Sequence, residues 1–315
     1  MRPSSSTQQR IIRRLYAISV GVAGGTTVGI VGWGGGQVII PSMTYPNPAF
    51  ANFSQLSATG LSLSSLSIST MSSGYKFWHD QSVNIPIALT IGVPALMSSY
   101  VGTRIAKRLS GEVLALVFNG FCIISIPVHF YVQQRASSRQ ARISQKGQGV
   151  ENSSSKLSDM TSTSISTSPI SSSTAIISSF DEMTLPFLLQ YTSCGVISGM
   201  ISSMIGVGGL PIVMSYLTET TDLSHHFVQG TSVCALVPSV LYSAVSKFDV
   251  IPLRTAGCIT IGGIVGGYVG AKIALGLTEE QLRYVYMISL VLFGGRSAFG
   301  AVRNIQRIYG MGRKR

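Results

Sequence analysis

The chain has 315 residues, of which 45% are hydrophobic and only 11% charged, with 34 glycines and a mean hydropathy of +0.39. A soluble domain carries about 25% charged residues, so this composition excludes a water-facing globular enzyme, and the apolar content excludes a chain disordered throughout. The formal charge of +12 comes from basic residues set between long apolar runs, a pattern of membrane-topology signals rather than of a nucleic-acid surface.

Residues 1–14 form a basic tail with Arg and Ser and no acids. Its composition is that of a transit peptide, but it runs directly into the first apolar stretch, which favours an uncleaved signal anchor. Eight stretches are each long enough to cross a bilayer as a helix: about 15–43, 54–75, 84–103, 112–132, 184–217, 226–246, 250–271 and 281–302. The runs are continuous and do not alternate, so helices are expected and not a barrel. The predicted fold is therefore all-α, a polytopic bundle of about eight transmembrane segments. The first and fifth stretches are long and broken by glycine.

Residues 133–183 change character. From Ser137 to Ser179 the chain is dominated by Ser and Thr, too poor in apolar surface to offset the entropy of ordering. A disordered linker is expected there, dividing a first repeat over 15–132 from a second over 184–302, with a basic C-terminal tail over 303–315. The halves match in order. Gly25-x6-Gly32-Trp33-Gly34-Gly35 aligns with Gly199-x6-Gly206-Val207-Gly208-Gly209, and Gly60-Leu61-Ser62 with Gly230-Thr231-Ser232. Asn84-Ile85-Pro86 aligns with Val250-Ile251-Pro252, and Tyr100 to Ala106 with Tyr268 to Ala274. Four matches in sequence indicate a duplicated bundle, an architecture that places a substrate site where the repeats meet.

Basic residues set the expected topology. Eight crossings with the N-terminus inside would place 18 of the 23 Lys and Arg on one side, whereas re-entrant first and fifth segments would place 15 there. The first count fits the positive-inside rule better. It predicts parallel repeats in an integral multi-pass protein, with both termini and the linker in the cytosol.

The glycine clusters carry the functional expectation. A helix broken within hydrocarbon is tolerated only inside protein or beside water, and a break exposes half-helix N-termini that attract anions. Close helix packing would also explain one such cluster, but a symmetric pair favours a binding site. The candidate substrate-binding residues are Gly34, Gly35, Gly36, Ser62, Gly206, Gly208, Gly209, Thr231 and Ser232, the glycines offering amides and the others hydroxyls. Pro41, Pro46, Pro48 and Pro211 are expected to fix the non-helical path. Lys76, Arg104, Lys247 and Lys272 are candidates for steering an anion, although snorkelling at the interface is the simpler reading of each.

The 11 acidic residues begin only at Asp80, and none lies deep in an apolar stretch. His129, His225 and His226 read as interfacial histidines rather than a proton relay. Coupling to a proton or another ion, and assembly into a homo-oligomer, are compatible with the sequence. Cys122, Cys194, Cys234 and Cys258 have no CxxC or Cys/His spacing, so neither a disulfide, a metal site nor a cofactor is expected. No GxSxG, HExxH or GxxxxGK[ST] motif points to an enzyme.

The motifs taken together, GWGGGQVIIP (32–41), Ala58 to Ser62, Asn84-Ile85-Pro86 and Gly102-Thr103-Arg104, then GVGGLPIV (206–213), Gly230-Thr231-Ser232 and Gly270-Ala271-Lys272, resemble those of the sulfite exporter TauE/SafE family. The likeness spans both halves. It implies a multi-pass permease for sulfite, sulfonates or related sulfur-containing or carboxylate anions, working between lipid bilayer and a small anionic substrate, with no nucleic acid involved. The chain departs from the pattern at Leu210, at Leu61 opposite Thr231, and in the long insert. An alternative is a non-transporting membrane scaffold or receptor whose Ser-rich linker binds cytosolic partners.

Overall fold

The computed structural model describes residues 5–44, 53–154, 185–221, 223–289, 291–292 and 295. The described residues are almost wholly helical. In chain order they form α1 (Ser5–Val31), α2 (Gly36–Thr44), α3 (Gln55–His79), α4 (Ile85–Arg108) and α5 (Gly111–Ser154). The second half forms α6 (Leu185–Ile205), α7 (Leu210–Thr220), α8 (His225–Ser246), α9 (Leu253–Gly276) and α10 (279–289). Six of these, α1, α4, α5, α6, α8 and α9, are long and apolar enough to cross a membrane.

Local chemistry sets several ends. The Ser54 side chain accepts from the Ser57 amide to open α3, and Asn84 accepts from Ile87 to open α4 with Pro86 in its first turn. Pro211 takes the same place in α7. Pro41 lies inside α2 and not in the preceding break, so it does not set that path as expected; Pro46 and Pro48 lie outside the described residues. α5 continues to Ser154, so the opening part of the Ser-rich stretch is helical rather than disordered. Gln133, Gln134, Ala136, Gln140 and Ala141, with four basic residues among them and just beyond, are helix formers and carry the turn pattern past the apolar run. Residues 155–184 and the tail at 303–315 lie outside the described residues.

α3 is the innermost helix. Its buried serines face α9, where Ser65 donates to the Ile259 carbonyl at 3.4 Å and Ser73 to the Gly267 carbonyl at 3.0 Å. These hydroxyls lower its hydropathy, and packing inside the bundle rather than contact with lipid makes that tolerable.

Helix directions follow from which residues meet. Gly21, Gly25 and Gly29 of α1 abut Ile259, Gly263 and Ala271 of α9, so the two helices run the same way, and α3 runs with them. Gly195 and Gly199 of α6 abut Ile91 and Ala95 of α4 in the same manner. α8 opposes α3, since Gly60 faces Lys247 while Gly230 faces Phe77. Thus α1, α3 and α9 point one way, and α4, α6 and α8 the other. Each helix of the first half runs against its counterpart in the second.

The halves are therefore inverted, not parallel. The reason is local: α2 folds back along α1, with Gly35 against Gly24 and the Tyr16 hydroxyl 3.5 Å from the Ser42 carbonyl. A hydropathy count takes that hairpin for a single crossing. α5 starts beside Gln55, at the end of the bundle that holds the N-terminus of α1 (the near end). It reaches the far end, where Arg135 pairs with Glu219 at 3.0 Å and Tyr216 donates to Gln190 of α6 at 3.4 Å. The helices that flank the linker thus meet it at the far end, and the expectation that N-terminus and linker share one side is corrected.

Candidate functional site

The two glycine breaks meet. α1 ends at Val31 and α2 begins at Gly36; α6 ends at Ile205 and α7 begins at Leu210. The strands of chain between them cross at mid-height, beside Leu66 near the centre of α3. Gly34 packs on the Val207 carbonyl and Gly36 on the Gly206 carbonyl, each so closely that a Cβ would overlap the oxygen. Gly32, Gly206, Gly208 and Gly209 have φ of +66°, +82°, +98° and +64°, a backbone region that favours glycine. All the residues from Gly32 to Gln37 and from Gly206 to Leu210 are buried.

Among the described residues, no backbone carbonyl accepts from the amides of Gly34, Gly35, Val207 or Gly208. Buried amides without partners are rare in folded chains, and here four lie within one crossing. Gly35 and Gly209 immediately precede α2 and α7, so the positive ends of two helix dipoles point into the same place. The arrangement can hold a small negatively charged group through backbone donors alone.

The predicted hydroxyls do other work. Ser62 donates to the Gly206 carbonyl at 2.7 Å and so ties α3 to the second break. Thr231 accepts from the Asn84 amide at 2.9 Å, holding the turn that opens α4. Ser232 donates to Val228 of its own helix at 2.6 Å. Ser62 is at the crossing, whereas Thr231 and Ser232 are not brought to it.

A family model described as Sulfite exporter TauE/SafE matches residues 17–297. The chain belongs to that family. It is also 20% identical over 275 residues to the "Probable membrane transporter protein YdhB" of Bacillus subtilis (strain 168), a match covering 86% of this chain and 94% of that protein. No solved structure matches the chain. Family and helices together make it an integral multi-pass membrane transporter and not an enzyme.

The charged candidates of this TauE/SafE chain part company. Arg104 is exposed at the near end with its guanidinium 4.2 Å from the centre of the Tyr100 ring, and Lys272 is exposed at the far end. Lys76, also at the far end, pairs with Asp80 at 2.8 Å. Its hydrogen bond holds the Asp80 carboxyl below the usual carboxylate range and raises its own ammonium. Lys247 is wholly different: it is fully buried, donating to the Ser203 carbonyl at 2.7 Å and to Thr59 Oγ1 at 3.4 Å. Snorkelling does not describe it. Nor is Lys76 its counterpart, because Phe77 packs on Gly230 where Lys247 packs on Gly60.

The histidines are a second correction. His129 and His225 are buried, at 3% and 8% exposure, while His226 is half-buried. His129 lies 5.2 Å from Trp33 of the first break, ring to ring, and Tyr286 of α10 lies 5.7 Å from Trp33 and 6.0 Å from His225. Ser215 hydrogen-bonds His129 Nδ1. A lone His in an apolar run gives no sequence signal for this, since the partners come from the first break, α7, α8 and α10. Among the described residues, no cluster of three or more His, Cys, Asp or Glu could hold a metal ion, and the four cysteines are free.

Proposed function

We propose that this transporter is a secondary permease for a small anion, such as sulfite, a sulfonate or a related sulfur-containing or carboxylate anion. The observation that carries the reading is the crossing itself, where the unpaired amides of Gly34, Gly35, Val207 and Gly208 gather in a buried, acid-free centre. An oxyanion offers several acceptors to such a nest and complements both helix dipoles. Ser62 and the glycines shape the nest, and inverted halves supply the two-sided geometry by which one site can open alternately to either face. The family supports the substrate class, and the relative's printed description supports transport. Sulfite, sulfonate and carboxylate all fit a backbone nest, and competition separates them.

The test is uptake of labelled sulfite into liposomes containing the purified chain, with unlabelled sulfonates and carboxylates as competitors. Saturable uptake above empty liposomes is expected, inhibited by the anions that share the site. Uptake no faster than in empty liposomes for every anion in the set would end the reading.

A further inference from the structure

We infer that Lys247 is the fixed cation of the anion site, making that site one-sided and centred on the near end of the crossing. The inference deepens the permease reading and rests on it. Lys247 is the one Lys or Arg among the described residues that is fully buried. No carboxylate among them lies within ion-pair distance of it. Asp249 is only two residues away in sequence, yet it pairs with Lys107 at 3.7 Å and is itself 87% exposed. The Lys247 ammonium is satisfied in hydrogen bonding by Ser203 and Thr59 but not in charge. An uncompensated buried cation is costly to the empty protein, and a bound anion removes that cost.

Its location fits this role. Ser203 lies one helical turn before Gly206, and Thr59 packs directly on Gly206, with its Cβ 3.0 Å from where a Gly206 side chain would begin. Ser202 in the same turn is buried with a hydroxyl that has no partner. The ammonium thus stands by the Gly206 end of the second break, which leads into the amides of Val207 and Gly208, while Ser202 stands by Gly209 at the other end.

The inverted counterpart shows what is special here. Gly29 stands where Ser203 does, and its carbonyl accepts from the neutral amide of Gln229 at 2.6 Å. Phe77 stands where Lys247 does. The same backbone need is met by a neutral amide in one half and, in the other, by a lysine amine that can carry a positive charge. Hydrogen bonding to a carbonyl does not require the cation; neutralising a negatively charged oxyanion does.

The experiment follows thermal unfolding of the purified chain in detergent with sodium sulfite against sodium chloride at equal ionic strength. Wild type, Lys247→Met and Lys247→Arg are compared. Sulfite should raise the unfolding temperature of wild type and of Lys247→Arg. Lys247→Met should unfold at or above the wild-type temperature without sulfite, and its apparent sulfite affinity should fall roughly tenfold or more. Loss of the sulfite response in Lys247→Arg would overturn the role, as would a Lys247→Met chain less stable than wild type or an undiminished response in Lys247→Met. Sulfite-dependent stabilisation undiminished in Lys247→Met removes only the role of Lys247, whereas its absence from wild type removes the permease site as well.

Discussion

Gly34 and Val207 touch where the two halves of the molecule cross, the α-carbon of one lying against the carbonyl oxygen of the other. The contact joins residues 173 positions apart and leaves no room for even a methyl group. Gly34→Ala must push the two breaks apart, and overpacking of a closed site costs about 1–3 kcal/mol. Gly257, exposed in α9 with nothing within 4 Å of its would-be Cβ, is the control. Gly257→Ala should be neutral or stabilising by up to about 1 kcal/mol through helix propensity. Thermal unfolding in detergent checks both, and equal effects of the two substitutions would show that the crossing is not tightly closed.

The hydroxyl of Ser62 makes the next distinction. It reaches across from α3 to the Gly206 carbonyl, whereas Ser232, its match in sequence, bonds only to its own helix at Val228. Ser62→Ala removes a tie on the second break and should destabilise by about 1 kcal/mol while slowing transport. Ser232→Ala should stay within about 0.5 kcal/mol of wild type, since a back-bond to an already paired carbonyl adds little. Unfolding temperatures and sulfite uptake rates of the two variants give the comparison, and a larger effect at Ser232 would contradict this division of labour.

The helical class, the paired breaks and the duplication were legible because each leaves a one-dimensional trace. Glycine runs at Gly32–Gly36 and Gly206–Gly209 interrupt apolar stretches at matched places. Direction left no such trace. α2 and α7 have 9 and 11 residues, too short to register as separate spans, so each hairpin read as one crossing and the charge count then favoured parallel halves. That Lys76 and Lys247 fall one position apart is likewise visible only in the packing. Counted from Gly60 and Gly230, the helical register places Phe77 at the position of Lys247, where α3 is still helical but α8 has ended and a short turn at Phe248–Val250 follows. Burial of His129 was likewise unreadable, because Trp33 and Tyr286 lie far from it in sequence and come together only through the fold.

Arg104 and Lys272 are equivalent by alignment but sit at opposite ends of the bundle, both exposed. If they gather anions, each serves its own face. Arg104→Gln should slow uptake a few-fold when sulfite is offered at the near side, and Lys272→Gln when it is offered at the far side. Both effects should fade as added salt shortens the screening length to about 8 Å near physiological strength. Uptake into liposomes of sorted orientation measures this. Rates unchanged at low salt from either side would leave both residues as interfacial anchors.

The relation between the halves is itself open to a direct measurement. Glu112 is exposed at the near end, at the start of α5, and Glu280 is exposed at the far end, beyond α9. Eight alternating crossings would put the loops holding both residues on the same side of the membrane. The inverted arrangement, in which α1 and α9 run together and α4 opposes them, puts them on opposite sides. Single cysteines at Glu112→Cys and Glu280→Cys, in a chain whose four native cysteines are replaced by serine, can be labelled in sealed vesicles by a thiol reagent that does not cross lipid. One site should react at once and the other only after the vesicles are opened. Prompt labelling of both, or of neither, would restore the parallel reading and separate the two breaks from a shared, two-sided path.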